Sequence, residues 1–173
     1  MLYEHTGIVP KTEYEIPFGK ARVLTEGDDI TLVGISHMVV ECLRAKHLLN
    51  NVGINAEVID PISLTPLDIE SIATSVDKTG RLLVVDNAWI NCGMSGEIIA
   101  QLVETKQGNV DFLARRMGFL PTPCPTTKPL ENLFYPNAST IAERAHKMVV
   151  GRDAEWQPKV EEASEIKEFK GPF

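Results

Sequence analysis

Three side chains with acid–base or nucleophilic chemistry lie near the ends of predicted strands: His37, Asp86 and Cys92. A histidine oriented by a carboxylate can act as a general acid or base, and a cysteine near a helix N-terminus can become a thiolate nucleophile. Each residue also has an ordinary structural explanation, because one histidine fixes no geometry and a free cysteine is most often a small buried hydrophobe. A catalytic group at His37, Asp86 and Cys92 is therefore kept as the alternative interpretation.

The favoured interpretation comes from the stretch Val84–Ile98, VVDNAWINCGMSGEI, which follows an apolar run. Trp89 and Ile90 are predicted on its loop, where large apolar side chains are unusual and indicate an interface. The proline-rich segment 119–129, FLPTPCPTTKP, is predicted to be a stiff, extended strap beside it. The sequence thus favours binding over turnover. The candidate interface residues are His37, Asn87, Trp89, Ile90, Phe119, Pro121 and Pro123.

No sequence motif of a common cofactor site is present. The chain lacks G-x-G-x-x-G, G-x-x-x-x-G-K-[ST] and G-x-S-x-G, which disfavours a dinucleotide site, a nucleoside-triphosphate site and a hydrolase serine. None of the four histidines has a second His or a Cys at i+3 or i+4, which disfavours a metal site. We expect this chain to bind no cofactor and no metal by itself.

The hydrophobic pattern alternates between short apolar runs and helical periods, which predicts a mainly parallel sheet covered on both faces by helices. The predicted fold class is accordingly α/β, a three-layer αβα sandwich. The predicted strands are 30–35, 56–62, 81–86 and, more weakly, 111–117. The predicted helix starts are Ser36, the pair Thr65-Pro66, Ser95, and Asn137 or Ser139.

Composition divides the chain into three parts and narrows its partners. Residues 1–20 are predicted to be a linker or strap, 21–150 a single domain, and 151–173 an acidic, flexible tail. The net charge of −7, from 24 acidic and 17 basic residues, disfavours nucleic acid and anionic membrane as partners. No apolar run is long enough to span a bilayer, and the N-terminus has no signal-peptide pattern. Three widely spaced cysteines suit reduced thiols, so a cytoplasmic location is expected.

Five ordered motifs together resemble one protein family. They are YEIPFGKA at Tyr14–Ala21, ITLVGIS at Ile30–Ser36, EVIDPISLTPLD at Glu57–Asp68, VDKTGRLLVVD at Val76–Asp86, and CGMSGEI at Cys92–Ile98. Across about residues 2 to 150, the chain resembles the C-terminal domain of the β subunit of thiamine-diphosphate-dependent 2-oxoacid dehydrogenases, which is similar to the C-terminal domain of transketolase.

The resemblance implies an assembly role, with the chain inactive on its own. Thiamine diphosphate and Mg would belong to the assembled enzyme, held by pyrimidine-binding and diphosphate-binding domains that have no matching positions in this sequence. The implied partners are a second copy in a homodimer, the thiamine-binding domains or α subunit of the parent enzyme, and in some complexes an acyltransferase core. The alternative is an independent small enzyme or ligand-binding module that uses His37, Asp86 and Cys92.

Overall fold

The computed structural model describes residues 11–158. The first ten residues of the predicted linker and residues 159–173 of the predicted tail lie outside the described residues. The strands are β1 (Arg22–Thr25), β2 (Ile30–Gly34), β3 (Ala56–Asp60), β4 (Arg81–Trp89) and β5 (Leu113–Phe119). The helices are α1 (Met38–Asn50), α2 (Ile69–Thr79), α3 (Met94–Thr105), α4 (Lys128–Phe134) and α5 (Ala138–Val150).

The five strands form one sheet in the order β1-β3-β2-β4-β5. Strands β2 to β5 run parallel to their neighbours, and β1 pairs antiparallel with β3 at one edge. All five residues of β2 are buried, as expected for a strand covered on both faces.

Two apolar clusters fill the two faces of the sheet. Leu32 and Leu83 pack with α1 and α5 on one face, while Val33 and Val84 pack with α2 and α3 on the other. Because successive side chains of a strand point to opposite faces, the same strands supply both clusters. The predicted three-layer αβα sandwich is confirmed.

The strand order reverses between β2 and β4. These strands are neighbours, with Gly34 in register with Val85, yet the helices that follow them cover opposite faces of the sheet. In open α/β sheets such a switch point, beyond the carboxyl ends of the strands, is where ligands usually bind. The candidate residues His37 and Asp86 lie at this point of the sheet.

Three of the predicted helix starts were wrong. Helix α1 begins at Met38 after His37, because Ser36 takes a left-handed φ of 58° in the tight turn that follows β2. Helix α2 begins at Ile69, well after Thr65-Pro66, because Asp68 caps it by accepting a hydrogen bond from the Ser71 N–H. Helix α3 begins at Met94, so Ser95 lies inside its first turn.

The last predicted helix start, with Asn137 as one of two alternatives, is confirmed. The Asn137 side chain accepts a hydrogen bond from the Thr140 N–H at 3.1 Å. The Thr140 hydroxyl in turn accepts one from the Asn137 N–H at 3.0 Å. This reciprocal capping box satisfies two backbone donors that have no partner within the helix.

Strand limits also differ from prediction. Strand β4 continues to Trp89, which pairs with Phe119, so Trp89 lies at the end of a strand and not on a loop. Strand β5 starts two residues later than predicted, at Leu113. Strand β1 and helix α4 were missed, because four and seven residues are too few to show a clear hydrophobic period.

The segments that flank the domain contact it. The Gly19 N–H donates to Ser63 Oγ at 2.9 Å, and the Ala21 N–H donates to Asp68 Oδ2 at 3.0 Å. At the other end, Trp156 packs against His146 of α5, with ring centroids 4.8 Å apart. Within residues 11–158, no helix is long and apolar enough to cross a bilayer.

Candidate functional site

Asp86 is buried in the C-terminal half of β4 and accepts a hydrogen bond from the next helix. Its Oδ2 accepts a hydrogen bond from the Ser95 N–H at 3.2 Å, and a carboxylate at a helix N-terminus is favoured by the helix dipole. A Cβ on Gly93 would lie 2.4 Å from the Trp89 carbonyl oxygen and 2.9 Å from Asp86 Oδ2, so glycine is needed for this close approach. Asp86 therefore holds the β4–α3 turn in place.

His37 lies half-buried before α1 and faces a carboxylate that the sequence analysis did not identify. Its Nε2 is 3.7 Å from Glu41 Oε1. Glu41 is itself buried, accepts a hydrogen bond from Arg44 at 2.7 Å, and accepts one from the Ala138 N–H at 2.8 Å. Glu41 thus joins the first turn of α1 to the N-terminus of α5. The signal in the sequence was a single acid at i+4 from His37, which is too common to be diagnostic.

Cys92 lies in the β4–α3 turn, exposed and with a left-handed φ of 59°. It borders an open cleft of about 560 Å³ together with Met94, Glu97 and Arg116. Cys42, in contrast, is fully buried. Burial, and to a smaller extent the nearby negative charge of Glu41, raises the pKa of its thiol far above the ordinary value. Cys42 is therefore a core residue with no thiolate chemistry at neutral pH.

An aromatic cluster lies where β4 and β5 end, and it consists of Trp89, Phe119, Phe134 and Tyr135. Trp89 contacts Phe134 edge-on at 5.6 Å and Phe119 at 6.3 Å. Tyr135 contacts Phe119 and Phe134 edge-on at 4.9 and 4.8 Å. Edge-to-face pairs of this kind stabilise a cluster beyond simple burial. Phe134 is buried beneath, while Trp89 keeps 46% of its surface exposed.

Four other interface candidates are close to the residues of this cluster in the sequence: Asn87, Ile90, Pro121 and Pro123. The Ile90 N–H donates to the Phe119 carbonyl at 3.4 Å, and Asn87, Pro121 and Pro123 are exposed. Phe134 and Tyr135 were not among the interface residues predicted from the sequence. Two adjacent aromatics directly before Pro136 and the capping Asn137 were the signal that would have indicated them.

The residues present do not fit a magnesium–diphosphate group. Among residues 11–158 there is no group of three or more His, Cys, Asp or Glu side chains that could hold a metal ion. At the switch point, the carboxylates of Asp86 and Glu41 already accept hydrogen bonds from backbone N–H groups of α3 and α5.

Curated relatives share substantial sequence with the chain. It is 37% identical over 150 residues to the acetoin:2,6-dichlorophenolindophenol oxidoreductase subunit beta of Cupriavidus necator, covering 87% of the chain and 44% of that protein. It is 39% identical over 137 residues to the pyruvate dehydrogenase E1 component subunit beta of Staphylococcus epidermidis, covering 79% of the chain and 42% of that protein. The chain thus spans less than half the length of these relatives.

A solved structure shares the fold. A split-gene transketolase, described as an inactive beta4 tetramer, matches with a TM-score of 0.68 at 23% sequence identity, over 84% of this chain and 45% of that one. The family model for the transketolase C-terminal domain matches residues 19–141. The resemblance found in the sequence motifs is confirmed: this chain belongs to the transketolase C-terminal domain family.

Proposed function

We propose that residues 21–150 form a subunit-contact domain of a thiamine-diphosphate-dependent 2-oxoacid dehydrogenase or a transketolase-like enzyme, in the position of the β subunit's C-terminal domain. The domain runs no reaction unaided. Thiamine diphosphate and Mg belong to other domains of the assembled enzyme. A cytoplasmic location goes with this role.

One observation carries the proposal: the aromatic cluster exposes Trp89 at the carboxyl edge of the sheet, while Asp86 at the same edge is used to hold the fold. An exposed tryptophan on a rigid aromatic base is typical of protein interfaces. A carboxylate that binds a helix N-terminus is poorly placed to serve as a base. The names of the curated relatives, which are β subunits of multi-component enzymes, support the same role.

The contact surface is assigned to His37, Asn87, Trp89, Ile90, Phe119, Pro121 and Pro123, with Tyr135 added from the aromatic cluster. Its partners are a second copy of the chain and the thiamine-binding domains or α subunit of the parent enzyme. An acyltransferase core is a further partner in complexes that contain one.

Reconstitution tests this role. The chain is mixed with a separately expressed protein that carries the pyrimidine-binding and diphosphate-binding domains, and oxidative decarboxylation of a 2-oxoacid is followed. We expect activity only in the mixture, a loss of about tenfold or more with Trp89→Ala, and no loss with Val52→Ala. Val52 is a control, because it is 40% exposed after the C-terminus of α1 and is not among the predicted interface residues.

Two results would count against the proposal. The first is tight calorimetric binding of thiamine diphosphate by the chain alone. The second is an activity of the chain alone that His37→Ala abolishes while circular dichroism shows an intact fold, which would favour the alternative small enzyme built on His37, Asp86 and Cys92.

A further inference from the structure

A groove runs beside the aromatic cluster, between β5, α4 and α5. It has a volume of about 410 Å³, and its apolar lining includes Ile90, Met117, Leu120 and Leu133. Leu133 and Leu120 are 69% and 48% exposed. We call this feature the edge groove. Exposed leucines that line a concave surface are unusual on the surface of a soluble domain and indicate a binding site for a partner.

Gly118 lines the edge groove and allows the ends of β4 and β5 to approach each other closely. A Cβ at this position would lie 2.7 Å from the Ala88 carbonyl oxygen and 3.1 Å from the Ile90 nitrogen. Any larger residue would push β5 away from the end of β4. Glycine thus brings the two strand ends together and leaves the lining of the groove open at that point.

The rim of the edge groove is basic although the chain as a whole carries a charge of −7. Arg116, Arg144 and Lys147 line it, and its one acid, Glu143, pairs with Lys147 at 2.6 Å. The Arg116 Nη1 donates to the Ile90 carbonyl at 3.0 Å. Two unneutralised cations therefore remain on the rim.

Arg144 is the informative cation. Arg44, Lys78 and Lys106 each form an ion pair within the domain. For Arg144, no ion pair or hydrogen bond is found within the part of the chain that the structure describes. An exposed guanidinium without a partner, next to exposed leucines, supplies both kinds of contact that an acidic and apolar segment requires.

We propose that the edge groove binds an acidic peptide segment of a partner polypeptide, one in which carboxylates alternate with leucine or aromatic side chains. The apolar side chains enter between Leu120 and Leu133, and the carboxylates meet Arg144 and Arg116. The inference deepens the proposed contact role and rests on it for the identity of the partner as a subunit of the same assembly.

A peptide fits the edge groove better than a small anion does. Lys147 is neutralised by Glu143, so only Arg116 and Arg144 remain to hold a small anion by charge. The apolar lining would contribute nothing to a phosphate ion. A segment with both apolar and acidic side chains contacts the apolar lining and the basic rim together, as in helix-in-groove and extended-peptide recognition.

The test uses the full chain and a fluorescein-labelled peptide that repeats Glu-Leu-Asp-Phe three times. Binding is measured by fluorescence anisotropy. Two control peptides replace either both acids by lysine or both apolar residues by serine. We expect saturable binding of the first peptide only, and little competition from inorganic phosphate at millimolar concentration.

Two matched pairs of variants locate the site. Arg144→Glu should weaken peptide binding about tenfold, while Arg152→Glu, the same charge change at an exposed position outside α5, should change it less than about twofold, because remote charges are screened. Leu133→Ser should weaken binding several-fold, and Val52→Ser, at a position 40% exposed beyond α1, should not.

The inference is overturned by any of three results: no binding, equal loss in Arg144→Glu and Arg152→Glu, or full displacement of the peptide by phosphate. These outcomes are separate from those of the proposed function. The reconstitution assay reports whether the chain assembles into an active enzyme, whereas the peptide assay reports only what the edge groove accepts.

Discussion

The two ends of the sheet differ in whether their functional side chains have partners within the domain. At the β1 end, buried polar groups are satisfied inside the domain: Asp68 accepts from Ala21 and Ser71, and Glu57 accepts from Gly27 and Lys78. At the β5 end, Trp89 and Leu133 remain exposed and Arg144 lies on the open rim of the edge groove.

The difference distinguishes side chains that stabilise the domain from side chains that are available for contacts with a partner. Buried polar groups that are fully hydrogen-bonded fix one conformation and have nothing left to offer a ligand. Exposed apolar groups lower solubility unless something covers them. The hydrogen-bonded polar groups at the β1 end therefore contribute to the stability of the isolated chain. The proposed partner contacts lie at the β5 end, although Phe18 and Val23 near β1 are exposed as well.

The largest expected effect comes from one substitution made at two places. Leu83→Ala removes a fully buried side chain from the sheet and should lower the free energy of unfolding by about 3 kcal/mol. Leu133→Ala, at a side chain that is 69% exposed, should lower it by less than about 0.5 kcal/mol. Urea denaturation of both variants measures the difference. Equal losses would mean that the β5 end is part of the core.

A second effect should follow pH. Burial raises the pKa of Glu57, but hydrogen bonds from Lys78, Ser75 and Gly27 outweigh it and place the pKa below its ordinary value of 4.5. A carboxyl with a depressed pKa in the folded state contributes stability above its unfolded pKa and loses it as pH falls through the folded value. The melting temperature should therefore drop as the solution is acidified below about pH 4.5.

The variant Glu57→Gln assigns that acid sensitivity to the β1 end. The drop in melting temperature on acidification should be smaller in Glu57→Gln than in the wild type. Glutamine does not titrate, so the variant has no difference in proton binding at this position between the folded and the unfolded state. Glu143→Gln, on the rim of the edge groove, serves as the comparison and should retain the wild-type pH profile. A flattened profile in Glu143→Gln would assign the effect to the wrong end of the sheet.

A third effect concerns the cap of α2. Burial raises the pKa of Asp68, yet hydrogen bonds from Ala21 and Ser71 lower it overall, so the ionised carboxylate is the form that caps the helix. Asp68→Ala should lower stability by about 1 kcal/mol. Hydrogen exchange should also accelerate at Ala21 and Ser71, whose N–H groups lose their acceptor. Unchanged exchange at Ala21 would mean that Asp68 does not hold the segment before β1.

A small effect on the isolated chain, no larger than that of Asp68→Ala, is expected for Trp89→Ala. The tryptophan is nearly half exposed and packs edge-on against Phe119 and Phe134, so the loss of stability should be below about 1 kcal/mol. Its effect on self-association should be larger. Sedimentation velocity across a concentration series should show a dimer for the wild type and monomer for Trp89→Ala, and monomer for both would contradict the dimer contact.

The sequence predicted the layers well because the hydrophobic pattern reports burial directly. Strands β2 to β4 are short apolar runs, and helices α1 to α3 and α5 follow the helical period. Helix starts were less predictable, because Ser36, Thr65 and Ser95 are suitable caps by residue type, whereas the cap that forms depends on tertiary partners such as Ala21 for Asp68. The switch-point positions of His37 and Asp86 followed from topology. The partner of His37 did not, since only the packing of α1 on α5 buries Glu41.

The bond from the Ala138 N–H to Glu41 spans 97 residues of chain. A contact of such long sequence separation forms only after the chain between its ends has largely ordered, so α5 is expected to dock late during folding. A nascent chain would then expose the apolar face of α1 that packs on α5 until α5 has been synthesised.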